Sequence, residues 1–153
     1  MGMLKLDEVD CRILAILQEN ARAKLSLISK QVHLSVTAVV NRIERMEDSG
    51  VIRGYRVLLD GEKAGMEVHG FLIGGVSHRS LAEVSRYLDT VPEIIRCETI
   101  ISGGKELLLE FYFEDLDGLM KFYDSKIKEY LDSMTVYLVK GAPRKDCGLP
   151  LER

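Results

Sequence analysis

Polar side chains suited to hydrogen bonding recur on one face of a predicted helix within the stretch 34–52. They are Thr37, Asn41, Glu44 and Arg45, with Arg42 at the flank. Amide and hydroxyl groups of this kind hydrogen-bond base edges, and guanidinium groups bind phosphate oxygens. No residue in the stretch has the context of an activated nucleophile or of a set of metal ligands. The chemistry offered by this face is recognition.

The opposite face of the same predicted helix is apolar. Val39, Ile43 and Met46 recur at intervals of four and three residues, which is the pattern of a helix packed on a core. Ser35 supplies an oxygen for the free N–H groups at the helix start. Gly50 permits the left-handed conformation that often follows a helix end. The sequence therefore predicts a short amphipathic helix whose polar face is exposed.

A second helix is predicted at 25–32, and only His33 and Leu34 separate it from the first. Two helices joined so tightly form a helix-turn-helix, whose second helix can enter the major groove of DNA. Any small helical core can show the same spacing, so spacing alone leaves both interpretations open. A further helix over 6–18, with Asp7 as its N-cap, completes the core. A salt bridge or a local cap is open for its Asp10, but a position on the surface is expected.

Charge distinguishes the two interpretations. Segment 20–56 contains seven basic and three acidic residues, a net charge of +4, whereas the whole chain has −3 and the remainder therefore −7. A basic segment on an otherwise acidic protein is the pattern expected for contact with phosphate. The segment is therefore predicted to bind double-stranded DNA.

The composition of the chain is ordinary for a globular protein, with 46% hydrophobic and 29% charged residues. No run approaches the about 18 apolar residues of a membrane span, and the N-terminus lacks a signal-peptide pattern. A cytoplasmic location without a membrane partner is therefore expected. The three cysteines fit neither a disulfide framework nor a zinc site, and no glycine-rich phosphate loop occurs. No catalytic residue, metal site or cofactor is predicted.

From residue 68 the pattern becomes β-α-β-β-α-β, the order of a ferredoxin-like domain. The predicted strands are 68–76, 94–101, 106–113 and 133–140. The first predicted helix begins near Ser80. The second begins near Asp115 or Asp117, and its inward residues run from Leu116 to Leu131. Helices cover one face of such a sheet. Leu108 and Tyr112 point to the other face, which is expected to bind a second copy of the chain.

The predicted fold class is α+β, with an N-terminal helix-turn-helix (winged-helix-like) domain and a C-terminal ferredoxin-like βαββαβ domain. The predicted segments are a helix-turn-helix domain at 1–50, an extended linker strand and loop at 51–65, a ferredoxin-like domain at 66–140 and a loose tail at 141–153.

The sequence resembles the Lrp/AsnC (feast/famine) family of transcription regulators. The resemblance is carried by LDEVDCRIL at 6–14, ENAR at 19–22 and LSVTAVVNRIERME at 34–47, which runs into GVIRGY at 50–55. The family patterns Leu-Asp-x-x-Asp-x-x-Ile-Leu and Leu-Ser-x-x-x-Val-x-x-Arg-Ile-x-x-Leu-Glu are met everywhere except at Met46, which replaces Leu. The order of domains extends the resemblance to about residue 140.

The resemblance implies a homodimer, often assembled into an octamer, that regulates transcription by binding palindromic DNA. The residues implied to face base edges or thymine methyl groups are Val36, Thr37, Ala38, Val40 and Asn41. The residues implied to hold phosphates are Lys24, Lys30, Ser35, Arg42 and Arg45. For Arg42, an internal ion pair with Asp10 or Glu47 fits the sequence equally well.

The resemblance also implies that the C-terminal domain senses a small molecule, frequently an amino acid. The implied effector-binding loop consists of Ile101, Ser102, Gly103, Gly104, Lys105 and Glu106. The family loop reads Gly-x-x-Asp with an aromatic residue near, whereas this chain has Glu106 for Asp and Lys105 for the common Tyr. Lys105 can pair with a ligand carboxylate, or it can form the solvated tip of a hairpin. A regulator without an effector is the other alternative.

Two other functions stay open as alternatives. A chromatin-like architectural protein would bind DNA with little preference beyond its bendability. Sirohaem decarboxylases have a similar architecture, but their histidine and aromatic residues around the second and third strands are missing from RCETIISGGKELLL at 96–109. The chain is therefore predicted to be a sequence-specific DNA-binding transcriptional regulator and not an enzyme.

Overall fold

The structure is a computed structural model that describes residues 4–76, 81–101, 104–141 and 148–151. It divides into two compact units, one of residues 4–58 with 148–151 and one of the described residues from 59 to 141. Each unit has its own hydrophobic core. The elements are α1 (Glu8–Glu19), α2 (Leu25–Gln31), α3 (Val36–Asp48), β1 (Val68–Val76), α4 (Leu81–Leu88), β2 (Ile94–Ile101), β3 (Lys105–Phe113), α5 (Leu116–Tyr123), a 3₁₀ helix (Lys126–Glu129) and β4 (Leu131–Leu138).

Three helices enclose the core of the first unit. The buried apolar residues are Ile13, Leu14, Ile28, Val32, Val39, Ile43 and Met46. Each large aliphatic side chain that is fully removed from water contributes about 1.5–3 kcal/mol to burial. The buried face predicted for α3 is confirmed at all three of its positions.

Hydrogen bonds brace the turn between α2 and α3. The Leu34 N–H donates to the Ser29 carbonyl at 3.1 Å, and the Ser29 hydroxyl donates to the Leu34 carbonyl at 2.7 Å. His33 has a φ of 55°, in the left-handed region that non-glycine residues adopt uncommonly. The paired hydrogen bonds offset the cost of that conformation, so the two helices can meet across a short turn.

The linker strand predicted within 51–65 does not form in the described chain. Residues 53–60 have no strand assignment, and no described strand pairs with them. A strand requires a neighbour that accepts and donates its ladder hydrogen bonds, and the apolar alternation of the sequence cannot supply one. Val57, Leu58 and Leu59 are consequently at least 76% exposed.

Part of the tail that was predicted to be loose is packed on α1. The Gln18 Oε1 accepts from the Leu149 N–H at 2.5 Å, and the Gln18 Nε2 donates to the Leu149 carbonyl at 3.2 Å. Leu151 packs against the core of the same unit. The prediction is wrong for residues 148–151, because a contact made by one side chain and one apolar residue leaves no periodic pattern in the sequence.

The second unit is built on a four-stranded sheet in the order β2-β3-β1-β4, with every neighbouring pair antiparallel. This is the predicted ferredoxin-like arrangement. On central strand β1, Gly70 lies opposite Phe111 of β3 and Leu138 of β4. A side chain at Gly70 would meet the Phe111 ring and the Tyr137 carbonyl. Close approach to these groups therefore requires glycine there.

The two faces of the sheet differ in burial. The β3 side chains that are buried with the helices are Leu107, Leu109, Phe111 and Phe113, as their alternation predicts. Leu108 and Tyr112 belong to the other set and are half-buried. On that face the His69 ring stacks on Tyr112 with centroids 4.1 Å apart, and its Nε2 lies 3.0 Å from Glu110 Oε1. The open face is therefore both aromatic and charged.

The helix predicted to carry inward residues over 116–131 is interrupted. It ends at Tyr123, the 3₁₀ helix Lys126–Glu129 follows, and the last strand begins two residues earlier than predicted. The Ser125 side chain caps the 3₁₀ helix by accepting from the Ile127 N–H. The apolar residues keep a helical spacing across this break, although the helix itself is not continuous. Leu116 is 58% exposed rather than inward. The cap predicted from Ser80 lies outside the described residues.

No helix in the described part of the chain is long and apolar enough to cross a bilayer.

Candidate nucleic-acid interface

Helix α3 presents the side chains that were predicted to face bases. Val36, Thr37 and Asn41 are exposed, and Ala38 and Val40 are half-buried. The helix begins after Ser35, whose hydroxyl oxygen accepts from the Ala38 N–H at 3.1 Å and so caps the helix as predicted. Thr37 and Asn41 lie one turn apart on the same side of α3. The helix therefore displays one hydroxyl and one amide away from its buried face.

The predicted lysines lie at the two ends of α2. Lys24 is its N-cap residue and Lys30 lies in its last turn, and both side chains are exposed. Ser35, at the start of the next helix, is exposed as well. These three polar groups border the helix-turn-helix, where a DNA backbone would pass alongside an inserted helix.

Arg42 and Arg45 converge on one aspartate of α1. Arg42 Nη1 lies 2.7 Å from both Asp10 Oδ1 and Asp7 Oδ2, and Arg45 Nη2 lies 2.7 Å from Asp10 Oδ2. Asp10 is 0% exposed, so the prediction that it decorates the surface is wrong. The ion pair that the sequence left open for Arg42 is present, with Asp10 as its partner.

Glu47, the other partner considered for Arg42, is bonded elsewhere. Its Oε1 accepts from the Tyr55 hydroxyl at 2.8 Å, which ties the segment after α3 to the last turn of that helix. Partial burial disfavours the phenolate, and the Glu47 carboxylate adds to the effect, so the pKa of Tyr55 is raised to about 12.

Asp7 and Asp10 also begin α1 by a reciprocal capping box. The Asp10 N–H donates to Asp7 Oδ1 at 2.8 Å, and the Asp7 N–H donates to Asp10 Oδ2 at 3.1 Å. The first of these bonds, with the Arg42 pair as the next cause, lowers the pKa of Asp7 below its ordinary value of 3.8. The carboxylates that start α1 therefore also bind α3.

The Asp7 charge is expected to make the stability of this unit depend on acid pH. The pKa of Asp7 is lower in the folded chain, so its contribution is fully present above about pH 5 and is lost as the pH falls through the folded-state pKa. Asp7→Asn keeps a capping oxygen without the charge. We expect it to lower the Tm near neutral pH and to match the native Tm at strongly acid pH, in thermal unfolding followed by circular dichroism. Asp48→Asn is the matched charge control, and an equal Tm difference at every pH would contradict the expectation.

Known proteins that resemble this chain indicate its family and function. Residues 6–47 match the AsnC-type helix-turn-helix domain. The DNA-binding transcriptional activator DecR of Escherichia coli K12 is 30% identical over 132 residues, which cover 84% of this chain and 84% of DecR. The chain belongs to the Lrp/AsnC family of transcriptional regulators. This Lrp/AsnC regulator is also 29% identical over 121 residues to the leucine-responsive regulatory protein of Rhizobium meliloti, covering 78% of each chain.

A solved structure agrees with the fold of this Lrp/AsnC regulator. The transcriptional regulator NMB0573 of Neisseria meningitidis, solved as a complex with L-Met, superposes with a TM-score of 0.85 and 25% identity. The match covers 96% of this chain and 97% of that one. The predicted α+β fold and the predicted function, a DNA-binding transcriptional regulator, are confirmed. The named relatives are transcription regulators, and they give no support to the enzyme alternative.

The effector loop predicted for the regulator lies at the tip of the β2–β3 hairpin. Ile101 pairs with Lys105 at the end of the ladder. Gly104 and Lys105 are exposed, whereas Glu106 is half-buried. Ser102 and Gly103, which lie between Ile101 and Gly104, are outside the described residues.

Sequence reasoning preferred a surface position for Asp10, although a local cap and an ion pair with Arg42 were both left open. The spacing of Asp7 and Asp10 is the local signal of a capping box. The ion pair between Asp10 and Arg45 was not predicted. The ion pairs with Arg42 and Arg45 join residues 32 and 35 positions apart in the chain. The sequence contains no local signal for contacts of that kind.

Proposed function

We propose that α3 is the recognition helix and that Thr37 and Asn41 read base edges in the major groove. The observation that carries the proposal is the exposure of both side chains on the helix face opposite its buried residues. An asparagine amide provides one acceptor and two donor hydrogens, which suits bidentate pairing with adenine. A threonine hydroxyl can donate to or accept from any base, so Asn41 carries the greater share of the specificity.

The apolar residues of the same helix add a second kind of contact. Val36 is 43% exposed at the first position of α3, and Ala38 and Val40 are half-buried beside it. Small and branched aliphatic side chains fit the thymine methyl group, which only the major groove displays. We infer that Val36 and Val40 contact thymine methyl groups and that Ala38 leaves room for a base edge to approach.

We infer that the phosphates on either side of α3 are held by Lys24, Lys30 and Ser35. The lysines are exposed at both ends of α2. The Ser35 oxygen accepts from the Ala38 N–H, which leaves its hydroxyl hydrogen to donate to a phosphate. The phosphate contacts that the resemblance implies for Arg42 and Arg45 stay predictions. In the folded unit, acidic partners bind both side chains.

The salt dependence of DNA binding tests the lysine contacts. The slope of log K against log salt concentration is negative, and Lys24→Ala and Lys30→Ala are each expected to make it shallower by about 0.9. Base preference should stay unchanged. Fluorescence anisotropy with one labelled duplex over a salt series measures the slope. Lys121→Ala removes an exposed lysine of α5, paired with Asp117 at 2.6 Å, and serves as the matched control. Slopes that stay at the native value in both lysine variants would contradict phosphate contact.

We propose that the regulator acts as a homodimer that assembles further into an octamer, in the cytoplasm where its DNA lies. The sheet face without helices, which includes Leu108 and Tyr112, and the exposed Val57, Leu58 and Leu59 support association. Exposed apolar side chains that lie together are typically covered in a functional assembly. Light scattering on the purified protein, with and without duplex DNA, measures the mass of the assembly.

We propose an amino acid as the effector, bound at the β2–β3 hairpin. The proposal is supported by the resemblance to NMB0573, which was solved with L-Met, and by the exposed Lys105, whose ammonium can pair with a ligand carboxylate. Titration calorimetry with each amino acid, on the native protein and on Lys105→Ala, tests it. Binding that Lys105→Ala abolishes would support the site. No binding by any amino acid would favour a solvated hairpin tip and a regulator without this effector.

A further inference from the structure

The buried carboxylate of Asp10 is fully occupied by its neighbours. Oδ1 binds Arg42, and Oδ2 binds both Arg45 and the Asp7 N–H. The Asp10 side chain is 0% exposed, whereas Arg42 and Arg45 are 27% and 47% exposed. A charge removed from water in this way is tolerated only while it is paired and hydrogen-bonded. If either arginine turned away to a phosphate, Asp10 would lose one of its two charged partners.

The same contacts change how much positive charge the DNA-binding segment 20–56 offers to phosphates. Its net charge of +4 includes Arg42 and Arg45, whereas Asp7 and Asp10 lie outside the segment, before residue 20. In the folded unit these two carboxylates neutralise the two arginines at 2.7 Å. The charge available to DNA phosphates is therefore carried by the other basic residues of the segment, Lys24 and Lys30 among them.

The position of the arginines on α3 gives the ion pairs a geometric consequence. Arg42 and Arg45 lie three residues apart, and Arg42 directly follows Asn41. Apolar side chains hold α3 against the core, but such contacts are non-directional, whereas charged hydrogen bonds fix both distance and angle. Two of them on one buried carboxylate therefore restrain the rotation of α3 about its own axis, in addition to its buried residues Val39, Ile43 and Met46. That rotation decides where the Asn41 amide points.

We propose that Asp10 is a positioning residue for DNA recognition, which anchors Arg42 and Arg45 to α1 so that they orient the recognition helix instead of holding phosphates. The inference rests on the proposed role of α3 in reading bases. It gives both arginines a structural role that acts on specificity, in place of the phosphate contacts that the family resemblance implied for them, beside an internal ion pair in the case of Arg42.

The test measures two quantities for native protein, Arg45→Gln, Asp10→Asn and the double variant. One is the slope of log K against log salt, and the other is the affinity ratio between a selected duplex and the duplex altered at the base that Asn41 reads. We expect Arg45→Gln to keep the native slope and to reduce the ratio by about tenfold. Asp10→Asn, which weakens the pairs with both Arg42 and Arg45, is expected to reduce the ratio at least as much. The double variant is expected to lose no more than Asp10→Asn alone, because the Arg45–Asp10 contact is already broken in that variant.

Three results would overturn the proposal. A slope lowered by about 0.9 in Arg45→Gln with an unchanged ratio would make Arg45 a phosphate ligand. Additive losses in the double variant would make the two residues independent. Variants with a lowered Tm but the native affinity ratio would show that the contacts of Asp10 with Arg42 and Arg45 contribute to stability alone. If Asp10→Asn does not fold, Arg45→Gln still provides the test, because the Arg45 side chain is half-exposed. A native protein that does not discriminate between the two duplexes would instead refute the proposal that α3 reads bases.

Discussion

Asn41→Ala is expected to weaken discrimination at one base position by about 1–3 kcal/mol and to leave the other positions and the salt dependence unchanged. The Asn41 side chain is exposed and lies outside the hydrophobic core, so its removal should not unfold the unit. What disappears is a bidentate hydrogen bond to a base edge. Competition binding between the preferred duplex and a series of single-base substitutions measures the change position by position.

The matched control for this prediction is Gln31→Ala. Gln31 carries an exposed amide at the end of α2 and is not expected to contact a base. Its replacement should leave preference unchanged at every position. If Asn41→Ala instead weakened binding to all duplexes by the same factor, Asn41 would be a contact to the DNA backbone and the orientation proposed for α3 would be wrong.

Gly70→Ala is expected to lower the free energy of unfolding by about 3 kcal/mol, the upper part of the usual range for an overpacked core. The added Cβ would lie 2.5 Å from Phe111 Cζ and would also meet the Tyr137 carbonyl. Gly70 lies on the central strand and is paired on both sides, so its backbone cannot retreat without breaking a ladder. Urea unfolding followed by circular dichroism measures the loss.

A second glycine of the same strand provides the control. A Cβ at Gly75 would meet only the Asp132 carbonyl, at 3.7 Å, which is an ordinary van der Waals distance. Gly75→Ala should therefore leave the free energy of unfolding within about 0.5 kcal/mol of the native value. Equal losses in the two variants would contradict the register that places Gly70 opposite Phe111 and Leu138.

Local signals account for most of what the sequence predicted correctly. The start of α3 follows from Ser35, and its buried face follows from Val39, Ile43 and Met46, because capping and helical periodicity involve residues within two turns of each other. The strand Ile94–Ile101 was predicted to the residue for the same reason, since alternation is read along a single segment. Element order then sufficed for the ferredoxin-like topology.

Three of the errors share a different cause, which is dependence on distant residues. The tail segment 148–151 lies on α1 through Gln18, 131 positions earlier in the chain. The segment 53–60 alternates like a strand but has no described strand beside it. Asp10 was expected on the surface because both of its arginine partners are more than 30 residues away, so the sequence left its pair with Arg42 as only one alternative. Each outcome depends on how elements pack, and packing is not encoded in any single stretch.

The central claim is that α3 reads a specific DNA sequence, and selection from genomic fragments tests it most directly. Purified native protein and Asn41→Ala would each be used to enrich fragments, which are then sequenced. We expect the native protein to enrich one palindromic motif, and Asn41→Ala to enrich the same motif with one symmetric pair of positions relaxed. Fragments enriched without any shared motif, or an identical motif from both proteins, would contradict the claim.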